Sequence, residues 1–189
     1  MVSTEIKNRI ADGFGEATQM QQLIEEMAEL TTAVCRYAEA NGEGDAQEAA
    51  EENLVEELAD VRLVLEQVIY LHKCEGSVGE ALDQDRGKDQ GADGFDEAVQ
   101  MQKLVEKMAE LTKAICKYAR IHGQGQPVRE GVTLEAVEKK LVEKLAGVQF
   151  VIEQVIRLHG CERGVEEVTE EKVVVAEKRL NEVYKKQKK

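Results

Sequence analysis

The segment 12–38 reads DGFGEATQMQQLIEEMAELTTAVCRYA, and the segment 93–119 repeats it as DGFDEAVQMQKLVEKMAELTKAICKYA. A second pair of blocks repeats as well, with NLVEELADVRLVLEQVIYLHKCE at 53–75 and KLVEKLAGVQFVIEQVIRLHGCE at 140–162. About two-thirds of the positions in these blocks are identical. Self-similarity of this kind indicates a duplicated structural unit.

Each repeat has the pattern of two long helices joined by a polar loop. Apolar residues of the first segment recur at steps of three and four, the spacing of an amphipathic helix: Met20, Leu23, Met27, Leu30, Val34 and Tyr37. The polar stretch 41–44 predicts a loop, and a second helix with the same periodicity begins near Gln47. The other repeat follows the same plan, with a longer loop between Gly123 and Gly131.

The composition suits helical packing, since the chain has no Trp, one Pro and 42% hydrophobic residues. Two-helix units bury little surface alone, and two of them pack naturally as a four-helix bundle. We therefore predict an all-α fold, a four-helix bundle formed by two tandem helix-loop-helix repeats as a pseudo-dimer, plus a C-terminal helix. A duplication of this kind turns an isologous dimer into one chain. It leaves open whether two such chains also pair as a homodimer.

We predict one all-α domain over 1–189. Repeat 1 spans 12–75 and repeat 2 spans 94–162. The stretch 76–93 between them is rich in Gly and Asp and has no apolar periodicity, which predicts a linker. Residues 163–189 are predicted to form a C-terminal helix with a basic tail, for which the first repeat shows no counterpart.

The net charge of −13 argues against a nucleic-acid partner, because binding to phosphate backbones requires a basic face. It also disfavours attraction to anionic membranes. No apolar run approaches the ~18 residues of a membrane span, and the N-terminal segment lacks the apolar core of a signal peptide. We therefore expect a cytoplasmic protein whose cysteines are reduced thiols.

Two pairs of acidic residues have the spacing that places both members on one helix face. Glu26 and Glu29 form one pair, and Glu57 and Asp60 form the other. If these faces meet, four carboxylates converge, and like charges at close range raise one another's pKa. A hard divalent cation would relieve the repulsion, and oxygen ligands without His or Cys favour Mg²⁺, with Mn²⁺ as a substitute. The alternative is that both pairs lie on solvated helix faces.

The second repeat loses three of these acids while it keeps the apolar residues around them. Lys107 replaces Glu26, Lys144 replaces Glu57, and Gly147 replaces Asp60. The two ammonium groups are expected to replace the charge of a cation beside the remaining carboxylates. The pattern predicts one working acidic site in the first repeat and a degenerate site in the second.

The EExxE motif (Glu25, Glu26 and Glu29), followed by ExxD (Glu57 and Asp60) on the next helix, resembles the MazG family of all-α nucleoside triphosphate pyrophosphohydrolases. The dimeric dUTPases belong to the same superfamily and also pair a working half with a degenerate one. The resemblance covers the first repeat well, and the second with its metal motif broken. It implies that Glu26, Glu29, Glu57 and Asp60 hold the metal. It also implies that Glu25 and Glu29 are the catalytic carboxylates, with Glu25 orienting a water or a second ion.

By this resemblance, the substrate is a nucleoside triphosphate, which is cleaved to a monophosphate and pyrophosphate in nucleotide-pool housekeeping. Lys172, Lys178 and Arg179 are candidates for contacts to the phosphates, although a solvated helix face explains them equally well. Three amides lie close enough to the acids to reach a base or ribose: Gln19, Gln22 and Asn53. One alternative is a catalytically weak nucleotide-binding or regulatory helical-bundle protein. Another is a structural helical adaptor.

Overall fold

The computed structural model describes residues 3–40, 44–88, 96–124 and 133–187, and these ranges contain seven helices and no strand. The prediction of an all-α protein is therefore confirmed. The helices are α1 (Thr4–Phe14), α2 (Glu16–Glu39), α3 (Asp45–Leu71), α4 (Glu75–Lys88), α5 (Glu97–Gln124), α6 (Leu134–His159) and α7 (Glu162–Gln187). Among the described residues, no helix combines the length and the apolar character that a membrane span needs.

The chain forms two compact units. Unit 1 comprises Met1–His72 together with His159–Lys189, and unit 2 comprises Lys73–Leu158. The predicted interhelix loops lie largely outside the described residues, as do the end of the predicted linker (89–93) and the last two residues of the basic tail. The pseudo-dimeric bundle of the two repeats stays a prediction.

Unit 1 contains four helices, in which α2 packs on α3, α7 packs on α3 and α1, and α1 also contacts α2 and α3. Its core consists of aliphatic residues at helical spacing: Leu23, Met27 and Leu30 from α2, and Leu54, Leu58, Val61 and Leu65 from α3. A second cluster joins three helices through Ile10, Leu63, Val173 and Leu180. Fully burying one such side chain stabilises the fold by roughly 1.5–3 kcal/mol.

Helix α1 was not predicted from the sequence, and its ends have local causes. Ser3 precedes it as the N-cap, and its Oγ accepts a hydrogen bond from the Ile6 N–H at 3.4 Å. The helix ends at Gly15, which has a φ of 81° and donates its N–H to the Ala11 carbonyl oxygen at 2.8 Å. A Cβ added at Gly13 would collide with the end of the Leu180 side chain, so α1 and α7 approach closely there.

Unit 2 contains α4, α5 and α6. Helix α4 occupies most of the stretch that the sequence predicts as a linker. Its apolar residues Val78 and Leu82 are buried, which stabilises it as a helix. Arg86 of α4 also pairs with Glu153 of α6 at 2.8 Å. This helix is difficult to predict from the sequence because those apolar residues lie among glycines, which are poor helix formers.

The helix that follows each repeat belongs to the unit of the other repeat. Helix α4 follows repeat 1 and lies in unit 2, whereas α7 follows repeat 2 and lies in unit 1. Both begin directly after a cysteine, Cys74 or Cys161, and both bury the valine four residues later, Val78 or Val165. The prediction that the C-terminal helix has no counterpart is thus wrong, since α4 is its shorter equivalent.

Candidate active site

Three of the predicted metal ligands lie together in unit 1. One carboxylate oxygen from each of Glu26, Glu57 and Asp60 lies within 4.8 Å of the other two. Glu26 extends from α2, while Glu57 and Asp60 lie one helical turn apart on α3 and therefore share a face. The packing of α2 on α3 brings the two acidic faces together. We name these three residues the acidic cluster.

The fourth predicted ligand, Glu29, lies one turn after Glu26 on α2 and is exposed. It lines the same cavity as Glu26 and Asp60. Its charge reaches the cluster, because it helps to raise the pKa of both Glu57 and Glu26. Glu29 is therefore placed beside the acidic cluster, on the side that opens to the cavity.

The electrostatics of the cluster are those of partly buried like charges. Burial, followed by the charges of Glu29, Asp60 and Glu26, raises the pKa of Glu57 from its ordinary value of 4.5 to about 7. Burial also raises the pKa of Glu26, against the hydrogen bond from Gln22. The Oε2 atom of Glu57 is buried and has no hydrogen-bond partner. An all-oxygen donor set with an unpartnered buried oxygen fits a hard divalent cation, which would offset the repulsion.

A cation from the protein itself already touches the cluster. The Nζ atom of Lys172 on α7 donates to Asp60 Oδ2 at 2.6 Å and to Glu56 Oε1 at 2.9 Å. Burial lowers the pKa of the Lys172 ammonium, but these two hydrogen bonds and the charges of Asp60 and Glu56 together outweigh it and raise the pKa above its ordinary value. Burial raises the pKa of Asp60, and the bond and charge of Lys172 oppose that rise. Lys172 was predicted to contact substrate phosphates, and in this structure it pairs with a predicted metal ligand.

A cavity of about 530 Å³ extends from the acidic cluster between the four helices of unit 1. Along α2 its lining runs from Thr18 to Glu29, which corresponds to about 16 Å at the rise of an α-helix. The acids lie at one end of this length. Most of the remaining lining consists of apolar side chains, three amides and one further cation: Ile10, Phe14, Leu63, Val64, Val175, Ala176, Gln19, Gln22, Gln67 and Arg179. Glu171, which precedes Lys172 on α7, also lines the cavity.

Two buried amides lie at the end of the cavity away from the acids. Gln19 and Gln67 are 5% and 4% exposed, and the Oε1 atom of Gln19 has no hydrogen-bond partner. Gln19 was predicted as a substrate contact and Gln67 was not. The signal for Gln67 was visible in the sequence, because it is a polar residue inside an apolar run and lies two turns after Asp60.

Arg179 lines the cavity near the amide end, since the next residue on α7, Leu180, meets Gly13 just before α2 begins. Four predicted residues are not part of the cavity lining: Glu57 of the acidic cluster and three others. Lys178 is exposed on α7, and Glu25 is exposed and accepts a hydrogen bond from Gln21 Nε2 at 3.0 Å. Asn53 donates to Glu57 Oε1 at 3.2 Å.

The equivalent position in unit 2 is held by ion pairs. Lys144 Nζ lies 2.7 Å from Glu110 Oε2, and Lys107 Nζ lies 3.6 Å from the same oxygen. The hydrogen bond from Lys144 and the charge of Lys107 lower the pKa of Glu110. A Cβ added at Gly147 would lie 3.6 Å from the Lys107 side chain. The two lysines therefore contact the carboxylate that remains in this repeat, as the sequence predicted.

Comparisons with protein-family models, curated proteins and solved structures give no match to this chain. The residues of the cavity are therefore the basis for a functional assignment.

Proposed function

We propose that the protein is a Mg²⁺-dependent nucleoside triphosphate pyrophosphohydrolase that cleaves an NTP or dNTP to NMP and pyrophosphate. The observation that carries this proposal is the acidic cluster, in which Glu26 and Asp60 line one end of the cavity and Glu57 has the unpartnered Oε2. A volume of about 530 Å³ falls within the range of small-molecule sites. The resemblance of the two acidic motifs to the MazG family supports the same activity.

In this proposal Glu26, Glu57 and Asp60 hold the cation, with Glu29 completing the set from the cavity side. A bound Mg²⁺, or Mn²⁺ in its place, would offset the charge of the phosphates and of the leaving pyrophosphate. Glu29 accepts a hydrogen bond from the attacking water and takes its proton. The water oxygen bonds to the α-phosphorus as the bond to the bridging oxygen breaks, and pyrophosphate leaves.

The other end of the cavity suits the nucleoside. The buried amide of Gln19 offers an unpartnered acceptor, and Gln67 lies buried in the same lining. Apolar side chains such as Phe14 of α1 and Leu63 of α3 line this region. Arg179 supplies a cation for the phosphates, and Lys172 supplies a second one when it leaves Asp60.

One observation favours the alternative of a catalytically weak nucleotide-binding or regulatory protein. Lys172 donates to one of the two carboxylate oxygens of Asp60, and the positive charge of this lysine would weaken metal binding unless it moves. The alternative predicts stabilisation by nucleotides without turnover. The pseudo-dimeric four-helix bundle of the repeats, a further homodimer and a cytoplasmic location belong to the same proposal as finer expectations.

The test is pyrophosphate release from a panel of NTPs and dNTPs with Mg²⁺. Glu29→Ala should lower turnover by about a hundredfold or more, because it removes the group that accepts the proton. The second repeat offers a matched control, since Glu110 is the counterpart of Glu29 and Glu110→Ala should leave turnover nearly unchanged. Equal turnover of wild type and Glu29→Ala would overturn the proposal. Thermal stabilisation by nucleotides with no release of pyrophosphate would support the regulatory alternative.

A further inference from the structure

Two side-chain amides contact the carboxylates of the acidic cluster from one helical turn away. On α2, Gln22 Nε2 donates to Glu26 Oε1. On α3, Asn53 Nδ2 donates to Glu57 Oε1 at 3.2 Å. Both contacts link a residue to the carboxylate four positions later. The sequence pattern instead suggested that both amides contact the base or ribose of a substrate.

The second repeat changes each amide together with its carboxylate. Where Glu26 becomes Lys107, Gln22 becomes Lys103, and where Glu57 becomes Lys144, Asn53 becomes Lys140. Each lysine that replaces an amide again lies four positions before the lysine that replaces a ligand. The amides and the carboxylates were therefore lost as pairs.

A third amide–carboxylate pair shows what happens to the same hydrogen bond where its carboxylate is not part of the acidic cluster. Gln21 Nε2 donates to Glu25 Oε1 at 3.0 Å, and the counterpart pair in the second repeat, Gln102 and Glu106, keeps the same bond at 3.0 Å. This pair has the same spacing as Gln22 and Glu26 and lies on the same helix, but Glu25 is not part of the acidic cluster. It persists where the acidic cluster is gone. The Gln47–Glu51 pair of α3, which lies outside the cluster, has Leu134 in place of its amide but keeps its carboxylate as Glu138. The joint replacement of amide and carboxylate by lysines therefore distinguishes the two pairs at the cluster.

The two oxygens of the Glu57 carboxylate illustrate the effect of the hydrogen bond from Asn53. Asn53 donates to Oε1, while Oε2 is buried without a hydrogen-bond partner. One oxygen of Glu57 lies within 4.8 Å of an oxygen of Glu26 and of Asp60. A donor on one carboxylate oxygen fixes the rotation of the group and directs the other oxygen to a cation. An amide does this without adding a positive charge, whereas a lysine would compete with the cation.

We propose that Gln22 and Asn53 are positioning residues that orient Glu26 and Glu57 for the divalent cation, rather than contacts to the substrate. This inference rests on the proposed function, because it requires that the acidic cluster binds a cation. Each amide acts through its carboxylate and touches neither the nucleotide nor the reacting atoms.

The first test is Mn²⁺ binding to the full chain, measured by titration calorimetry or by the electron paramagnetic resonance signal of free Mn²⁺. Gln22→Met and Asn53→Leu should each weaken Mn²⁺ binding about tenfold or more. Gln21→Met is the matched control and should bind Mn²⁺ as the wild type does. Thermal melting in EDTA verifies that each variant is folded. Gln22→Lys and Asn53→Lys are second variants that helices tolerate, since Lys103 and Lys140 occupy the equivalent positions of α5 and α6, and they should weaken binding further.

The second test separates positioning from substrate contact through steady-state kinetics. If the amides position metal ligands, raising Mg²⁺ restores the turnover of Gln22→Met and Asn53→Leu, and the KM for the nucleotide at saturating Mg²⁺ stays near that of wild type. A KM that remains raised at saturating Mg²⁺ would overturn the inference in favour of substrate contact. Equal Mn²⁺ affinity of wild type and both variants, or an equal loss in Gln21→Met, would also overturn it while leaving the proposed function intact. A wild-type protein that binds no Mn²⁺ would refute the proposed function itself.

Discussion

The carboxyl group of Glu57 makes the stability of the metal-free protein depend on pH. Its pKa is about 7 in the folded protein against an ordinary value of 4.5, so between these values the folded chain binds more protons than the unfolded chain does. Stability therefore falls as the pH rises from 4.5 to about 7, and it stays low above that window. This is the sign expected for an acid that folding makes harder to ionise. The substitution Glu57→Gln removes the titration and keeps the shape of the protonated group.

The size of the effect follows from the same two values. Each unit of pKa difference corresponds to about 1.4 kcal/mol, so the whole pKa shift of Glu57 sets an upper limit of about 3 kcal/mol. One oxygen of the group is buried, but the side chain is partly exposed and solvent screens its repulsion. We therefore expect Glu57→Gln to stabilise the metal-free protein by about 1–2 kcal/mol at pH 8. At about 2–4 °C per kcal/mol for a chain of this size, the melting temperature should rise by several degrees.

The assay is thermal unfolding in EDTA at pH 4, 6 and 8, repeated at pH 8 with Mg²⁺. The difference between Glu57→Gln and wild type should be near zero at pH 4 and largest at pH 8. Adding Mg²⁺ should stabilise the wild type and have little effect on the variant. Glu52→Gln is the matched control, because Glu52 is exposed on α3 outside the acidic cluster, and it should give no comparable gain. A constant difference between Glu57→Gln and wild type across the pH range would refute the electrostatic reasoning.

Two further perturbations test the contacts that α7 makes in unit 1. Lys172→Met removes the ammonium 2.6 Å from Asp60 Oδ2, so it should tighten Mn²⁺ binding several-fold in calorimetry without nucleotide and raise the KM for a nucleoside triphosphate. Unchanged values of both would contradict the competition between lysine and metal. Gly13→Ala places a Cβ against Leu180 and should lower the free energy of unfolding by about 1–3 kcal/mol in thermal or urea unfolding. The control is Gly76→Ala, whose Cβ would meet no atom within 4 Å, and an equal loss there would show that close packing is not the cause.

The long helices were predictable because their apolar periodicity extends over many turns. Helix α3 was predicted from near Gln47 and begins at Asp45, directly after Gly44 with its φ of 80°. The short helices were harder to see. Helix α1 contains three apolar residues at steps of four, Ile6, Ile10 and Phe14, but it has too few turns for the pattern to stand out. Helices of that length depend on tertiary packing.

The shared face of the carboxylates was predictable from their local spacing, whereas the position of Lys172 was not predictable from the sequence. The spacing of Glu57 and Asp60 fixes their shared face on any α-helix. In contrast, Lys172 is 112 residues from Asp60 in the sequence, so their contact depends on how α7 packs on α3. The sequence contains no local signal for that packing. The proposed roles of Gln22 and Asn53 could be inferred from the sequence in principle, since each lies four positions before a predicted metal ligand.

The exchange of the two following helices gives a reason why the second repeat differs in charge. Helix α7 brings Lys172 to the acidic cluster of unit 1, whereas its counterpart α4 in unit 2 carries Asp85 at the position equivalent to Lys172. Unit 2 in turn has Lys107 and Lys144 where unit 1 has acids. Compared with unit 1, the sequence of unit 2 thus has lysines in place of acids in its repeat and an acid in place of a lysine in the helix that joins it. Two identical chains cannot carry opposite charges at equivalent positions, whereas a duplicated chain can. Duplication therefore allowed one site to keep the carboxylates that we propose bind a cation, while the other came to be held by internal ion pairs.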